Sequence, residues 1–310
     1  MPIPFIDQFL ETVKRRRNIR AQSQELKLVK ELIRDGKSDD ALKKIENLEI
    51  RTDLEPIIRI KSKILKIRAL IDKEENEKAL ELIDKVMEEL RGKEEPSLMM
   101  DTMVSKAKAL MELRKYDEGM NTVLEAEELL KTVDHTRIEE LAEKKASLSL
   151  SKGIVHRRKG ELDQALELLQ NALSTSEELG TAPKITADAL NQIGIIYASK
   201  GDFDRALEHL QESLEIYDAL GDELAEIRII NNISVILNYK GELDEALRFN
   251  QRGLELSEKH GNELISATLL VNTGLIHQNK GELDLALESY EKGLVKYEEL
   301  GMKREIATCY

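Results

Sequence analysis

The sequence predicts an all-α solenoid of about seven stacked helix pairs, and three observations predict it. The first is composition. Of 310 residues, 35% are charged, 41% hydrophobic and only 4% aromatic, with 5 Pro and no Trp. A chain poor in aromatics and Pro but rich in Leu, Ala, Glu and Lys favours helix along its whole length. The second is a pair of glycine ladders. Gly160, Gly201, Gly241 and Gly281 are spaced 41, 40 and 40 apart, and Gly180, Gly221, Gly261 and Gly301 repeat the same intervals. A fixed period of this length marks a repeat array. Glycine closes helices by entering the left-handed backbone region without a Cβ clash, so each repeat holds two helices. The third is a set of small residues inside the helices. Gly153, Gly194, Ser234 and Gly274 are each followed 12 residues later by Ala165, Ala206, Ala246 and Ala286, which lets the two helices of a pair approach closely.

The elements follow in chain order. Residues 1–21 predict a separate N-terminal helix with an apolar stripe of Phe5, Ile6, Phe9, Leu10 and Val13 ahead of Lys14, Arg15, Arg16, Arg17 and Arg20. It reads as a cap over the open edge of the first repeat, because Asp7 and Glu11 interrupt its basic face. The alternative is a basic amphipathic helix lying on an anionic membrane. Small residues at Ala41, Ala79, Gly119 and Ala165 continue the phase backward at intervals of 38, 40 and 46, and Pro56 and Pro96 suit first helical turns. Repeats then fall at about 22–52, 53–91, 94–132, 135–180, 181–221, 222–261 and 262–301, forming a solenoid over 22–301. The longer interval predicts an extended loop or helix near Asp134–Ile138. Met99, Met100, Met103, Met111 and Met120 gather in the third repeat and read as fillers of irregular core gaps. Residues 302–310 read as the start of an incomplete further helix. Leu287 and Leu294 are then left partly exposed, either to more chain or to another copy.

Around the first ladder the chain reads Lys-Gly-Glu-Leu-Asp-x-Ala-Leu at Lys159–Leu166, Lys240–Leu247 and Lys280–Leu287, with Asp202 and Phe203 as the variants in Lys200–Leu207. This segment resembles the tetratricopeptide repeat. Gly194, Tyr197, Gly201, Phe203 and Ala206 match its pattern residue by residue, and Leu237 and His277 stand where the family has an aromatic. The 40-residue period is similar to that of kinesin light chains, Pins-type adaptors and peptide-sensing bacterial regulators. The resemblance is specific over Ala146–Gly301 and looser before it. It implies a right-handed superhelix whose first helices line a concave groove.

Charge and chemistry narrow the function. The net charge of −13 argues against a nucleic-acid binder. Residues 1–74 carry 18 Lys/Arg against 13 Asp/Glu, while the remainder carries 29 against 47. Arg59, Lys61, Lys63, Lys66 and Arg68 form a patch on the first helix of the second repeat that could receive an acidic partner. Cys309 is the single cysteine, and neither a signal peptide nor an apolar run long enough for a bilayer is evident, which reads as a cytoplasmic protein. The five histidines form no metal-ligand spacing and no phosphate loop is present, so no catalytic site, metal or cofactor is expected. His156 and His277 read as packed or interface residues.

The candidate site is a set of amides on the first helices of the fifth to seventh repeats: Asn191, Gln192, Asn231, Asn232, Asn238, Asn272, Gln278 and Asn279. An amide donates and accepts at once, so it can pair with any peptide backbone. The resemblance implies that Asn232 and Asn272, and Gln192 in their place one repeat earlier, clamp an extended ligand. Loss of Asn232 and Asn272 is expected to weaken binding without lowering stability, because Ala is the better helix former. The expected function is a non-catalytic scaffold binding an extended peptide or partner helix. The alternative is a peptide- or ligand-sensing regulator acting through superhelix rearrangement.

Overall fold

A computed structural model describes the backbone of residues 4–34, 37–133 and 138–302, and the side chains of residues 14–34, 37–133 and 141–302. Helices alone make up its regular structure among these residues. They fall into two compact units, residues 1–134 and 135–310. The first holds α1 (Pro4–Arg34), α2 (Ser38–Glu49), α3 (Pro56–Asp72), α4 (Asn76–Leu90), α5 (Pro96–Glu112) and α6 (Tyr116–Lys131). The second holds α7 (Ile138–Lys159), α8 (Leu162–Leu179), α9 (Pro183–Ser199), α10 (Phe203–Leu220), α11 (Glu223–Lys240), α12 (Leu243–Lys259), α13 (Glu263–Lys280) and α14 (Leu283–Glu299). Pro56 and Pro96 open α3 and α5.

The glycine ladders close helices as their spacing predicts. Gly160, Gly201, Gly241 and Gly281 have φ between 79° and 83°, and the second ladder has φ between 61° and 69°. Counting back from Ala79 and Gly119, the matching positions in the first unit are Glu74 and Arg114, and both hold the same left-handed backbone at φ 61° and 60°. Within the helices, a Cβ on Gly194 would lie 2.8 Å from Leu210 Cγ and 3.0 Å from the Ala206 carbonyl. Ser234 Oγ donates to the Ala246 carbonyl at 3.1 Å in the same place. In the pairs α9–α10 and α11–α12 a small residue thus faces the partner helix's backbone.

Successive repeats are tied by one recurring ion pair. Lys200 reaches Asp163 at 2.6 Å, Lys240 reaches Asp204 at 2.8 Å and Lys280 reaches Asp244 at 2.8 Å. Each joins the lysine of one Lys-Gly-Glu-Leu-Asp segment to the aspartate of the segment before it. Lys73 and Asp39 form the same link at 2.5 Å, so the register read from the C-terminal half extends into the first unit.

The helix expected to end at residue 21 is the first part of α1, which runs unbroken from Pro4 to Arg34 because residues 5–34 contain neither Gly nor Pro. The stripe from Phe5 to Val13 lies outside the described side chains. Beyond it, Gln22 is fully buried. Its amide donates to the Asp53 carbonyl at 3.0 Å and its oxygen accepts from the Glu55 N–H at 3.2 Å. Arg15 adds an ion pair to Glu55 at 3.1 Å. This part of α1 thereby holds the start of α3. The long interval after Gly119 is partly absorbed by α7, at 22 residues against 17 for α9; residues 134–137 lie outside the description.

Met100, Met103 and Met111 are buried as expected of core fillers. On α14, Leu283 and Leu287 are 67% and 59% exposed while Leu294 is half-buried. Residues 303–310, where a further helix was expected, lie outside the described residues. No described helix is long and apolar enough to cross a membrane.

Candidate functional site

In the second unit successive first helices touch, α7 with α9, α9 with α11 and α11 with α13, while the second helices are held farther apart. The first helices therefore line the inner side of this unit. The helical repeat places residues three, four and seven apart on one face, and on α9, α11 and α13 that face carries the amides.

The amides meet each other across the helices. Asn232 Nδ2 donates to Asn191 Oδ1 at 3.0 Å, Asn272 Nδ2 to Asn231 Oδ1 at 2.8 Å and Asn279 Nδ2 to Asn238 Oδ1 at 2.8 Å. All three span 41 residues, so each links one column of a repeat to the neighbouring column of the repeat before. Gln192 accepts from Arg157 Nε at 2.8 Å and Gln278 accepts from Tyr290 Oη at 2.8 Å. Asn191 and Asn238 are buried, Gln192, Asn231, Asn232 and Asn272 half-buried, and Gln278 and Asn279 exposed. The structure thus joins the six predicted asparagines in three pairs, whereas Gln192 and Gln278 pair with Arg157 and Tyr290 outside that set. Each asparagine pair engages the nitrogen of one amide and the oxygen of the other, which leaves Asn232 Oδ1 and Asn272 Oδ1 outside these pairs.

Between the rows runs an apolar column that was not singled out in the sequence. Ile154, Ile195, Val235 and Leu275 recur at 41, 40 and 40 residues, on α7, α9, α11 and α13. The first three are half-buried and Leu275 is 40% exposed. The spacing itself was the available signal. Beside Leu275, a cavity of about 130 Å³ opens between α11 and α13, with Val235, Asn238, Tyr239, Asn272 and Ile276 among its walls. Tyr239, 69% exposed, is held by stacking on Phe203 at 6.1 Å between ring centroids.

The titratable groups around this face are engaged structurally. Tyr217 Oη donates to Asp188 at 2.5 Å, and burial, aided by that carboxylate, pushes its pKa up. His156 pairs with Glu161 at 2.5 Å and His277 with Glu282 at 2.6 Å. The His277 hydrogen bond is the main cause of the lowered Glu282 pKa. Both histidines thus pin the turn between first and second helices. Among the described residues no cluster of His, Cys, Asp and Glu could hold a metal ion. In the first unit, the predicted basic patch is largely used internally. Arg59 donates to the carbonyls of Glu49 and Arg51 at 3.0 and 3.2 Å, Lys66 pairs with Glu49 at 3.1 Å and Lys63 pairs with Glu89. Lys61 and Arg68 are exposed.

The family model that matches is described as tetratricopeptide repeat, over residues 145–219 and 185–259. Residues 145–259 thus match the tetratricopeptide repeat. The chain's fold is an all-α tetratricopeptide-repeat solenoid, and solved structures of that fold resemble it at low identity. The Rap conjugation gene regulator of plasmid pLS20, solved with the Phr* peptide, has a TM-score of 0.66 at 16% identity, covering 94% of this chain and 89% of that one. BtubC (BKLC) from P. vanneervenii has a TM-score of 0.61 at 17% identity, covering 73% and 92%. Aspartyl phosphate phosphatase F from Bacillus subtilis has a TM-score of 0.57 at 15% identity, covering 90% and 75%. No curated protein matches in sequence. At these identities the likeness concerns the fold. The tetratricopeptide assignment also accounts for the small residues at Gly194 and Ala206, which meet where the two helices of a repeat cross.

Proposed function

We propose that the inner face of α7, α9, α11 and α13 binds an extended peptide or a partner's helix, and that the chain acts as a non-catalytic interaction scaffold. The observation that carries this reading is the amide rows flanking the column Ile154–Ile195–Val235–Leu275. Half-exposed apolar side chains take ligand side chains, and the amides take its main chain, whose donors and acceptors recur whatever the sequence. That the pLS20 Rap regulator was solved with a peptide supports a peptide as the ligand, and favours as second reading a sensor whose repeats rearrange on binding. No reaction is proposed.

Selection from a library of random linear peptides tests the proposal. The wild-type chain is expected to enrich a consensus. Asn232→Ala/Asn272→Ala is expected to weaken the selected peptide by on the order of tenfold to a hundredfold, the value of two hydrogen bonds. Equal binding by wild type and double variant, or no enrichment at all, overturns it.

A further inference from the structure

The cavity between α11 and α13 opens on the inner face. Along the column, Ile154, Ile195 and Val235 are spaced one per repeat, and beside Leu275 the surface deepens into about 130 Å³. At roughly 30 Å³ for one water, this is room for about four. It is the scale of one branched aliphatic side chain. Its walls divide by chemistry. Val235, Leu275 and Ile276 supply carbon, whereas Asn238 and Asn272 carry amides. Each amide has one atom engaged, Asn238 Oδ1 accepting from Asn279 and Asn272 Nδ2 donating to Asn231. Ser234 at the wall is committed too, to the Ala246 carbonyl. The cavity therefore joins an apolar wall to an amide edge, where Asn272 Oδ1 lies outside the asparagine pairs. Tyr239, stacked on Phe203, stands beside it as a pre-set apolar wall.

Charge restricts the ligand further. Residues 135–310, the second unit, carry 20 Lys/Arg against 31 Asp/Glu, a net charge of −11. A surface of that sign attracts cationic segments and repels acidic ones, in proportion to how little salt screens it.

We infer that this cavity is a specificity pocket that accepts one leucine-sized apolar side chain from an extended peptide of net positive charge. The inference rests on the peptide reading above and adds which peptide is chosen. Burying such a side chain is favourable by the area it removes from water, while the amide rows contribute the same hydrogen bonds to every sequence. The pocket therefore sets selectivity and the amides set general affinity.

The test uses peptides selected on the full chain, synthesised with the enriched apolar residue and with Ala in its place, their binding followed by fluorescence anisotropy. For wild type, the change to Ala is expected to cost about tenfold or more, and both peptides are expected to weaken as salt rises. Val235→Trp fills the cavity, so it is expected to bind the two peptides with equal affinity, whatever its effect on the affinity they share. Leu275→Gln, at an exposed position, is the second variant and is expected to shrink the same difference. Circular dichroism melts establish that both variants are folded. Equal affinity of wild type for the two peptides, an undiminished difference in both variants, or a consensus rich in Asp and Glu overturns the inference. If a selected peptide depends on Asn232 and Asn272 without such discrimination, the groove reading survives and the pocket falls. If wild type selects nothing, both fall.

Discussion

Asn232 donates its side-chain amide to Asn191 at 3.0 Å, across 41 residues of sequence and two neighbouring first helices. A residue placed to clamp a ligand is thus also a strut between repeats. This revises the expectation that its loss leaves stability untouched. Asn191 is only 9% exposed, so removing its donor strands a buried acceptor. That penalty is about 1–3 kcal/mol, against a gain of up to roughly 0.7 kcal/mol from Ala's helix propensity. Asn232→Ala should therefore lower the urea midpoint. Asn272→Ala should cost less, since its acceptor Asn231 is half-buried and water can replace the lost bond. Equal midpoints for both variants and wild type would show the pairs to be energetically idle.

The helix glycines divide into two kinds, and substitution by Ala should separate them. At Gly194 a Cβ would sit 2.8 Å from Leu210 Cγ and 3.0 Å from a backbone oxygen, so overpacking of about 1–3 kcal/mol opposes a propensity gain of about 1 kcal/mol. At Gly119 the nearest atoms are 3.6 Å or farther away, and only the gain remains. Gly119→Ala should raise the melting temperature and Gly194→Ala lower or hold it. Matching effects at the two sites would mean that helix spacing does not depend on these contacts.

Glu74 and Arg114 occupy the left-handed position that glycine holds throughout the second unit. A side chain in that region costs roughly 1–2 kcal/mol, against roughly 0.5–1 kcal/mol of extra chain entropy lost by Gly on folding. Glu74→Gly and Arg114→Gly should each stabilise by up to about 1.5 kcal/mol, read as a shift in the denaturation midpoint. Destabilisation by both would imply that these side chains contribute contacts outweighing the strain.

These positions also show what the sequence discloses. The period, the helix ends and the small residues at crossings were legible because each depends on local backbone geometry that only Gly, Ala or Pro satisfies cheaply. The faint first unit was legible through Ala41 and Ala79, but Glu74 and Arg114 broke the glycine ladder, since strain can be tolerated without changing the fold. For the site, the asparagines were legible as a face. Their pairing was not, because helical period says which side a residue is on and nothing about whether a side chain one repeat away reaches it. The column of Ile154, Ile195, Val235 and Leu275 went unremarked because aliphatic residues on a repeat helix ordinarily signal core. Only its partial exposure sets it apart.

The recurring ion pairs predict an acid response with two opposed parts. Hydrogen bonds from Lys73, Lys200 and Lys280 hold the carboxyls of Asp39, Asp163 and Asp244 below their ordinary value of 3.8. A carboxyl whose folded pKa is depressed contributes stability above its unfolded value and loses it as pH falls through the folded one. These links therefore weaken below 3.8. Glu226 behaves in the opposite sense. It is 3% exposed, and burial raises its pKa above 4.5 despite Arg252 at 2.8 Å. The folded state binds that proton more tightly, so stability rises as pH falls through the raised value towards 4.5. Urea midpoints measured from about pH 7 to about pH 3 should thus show a gain, or a shallow slope, before the acid loss begins. Glu226→Gln should remove the gain and leave the loss. Lys200→Met/Lys280→Met should do the reverse, lowering stability at neutral pH slightly, as exposed pairs do, and flattening the fall below 3.8. An unchanged acid limb in the lysine variant would assign the acid response to other carboxylates, such as Glu223, which Lys259 and His260 hold down in the same way.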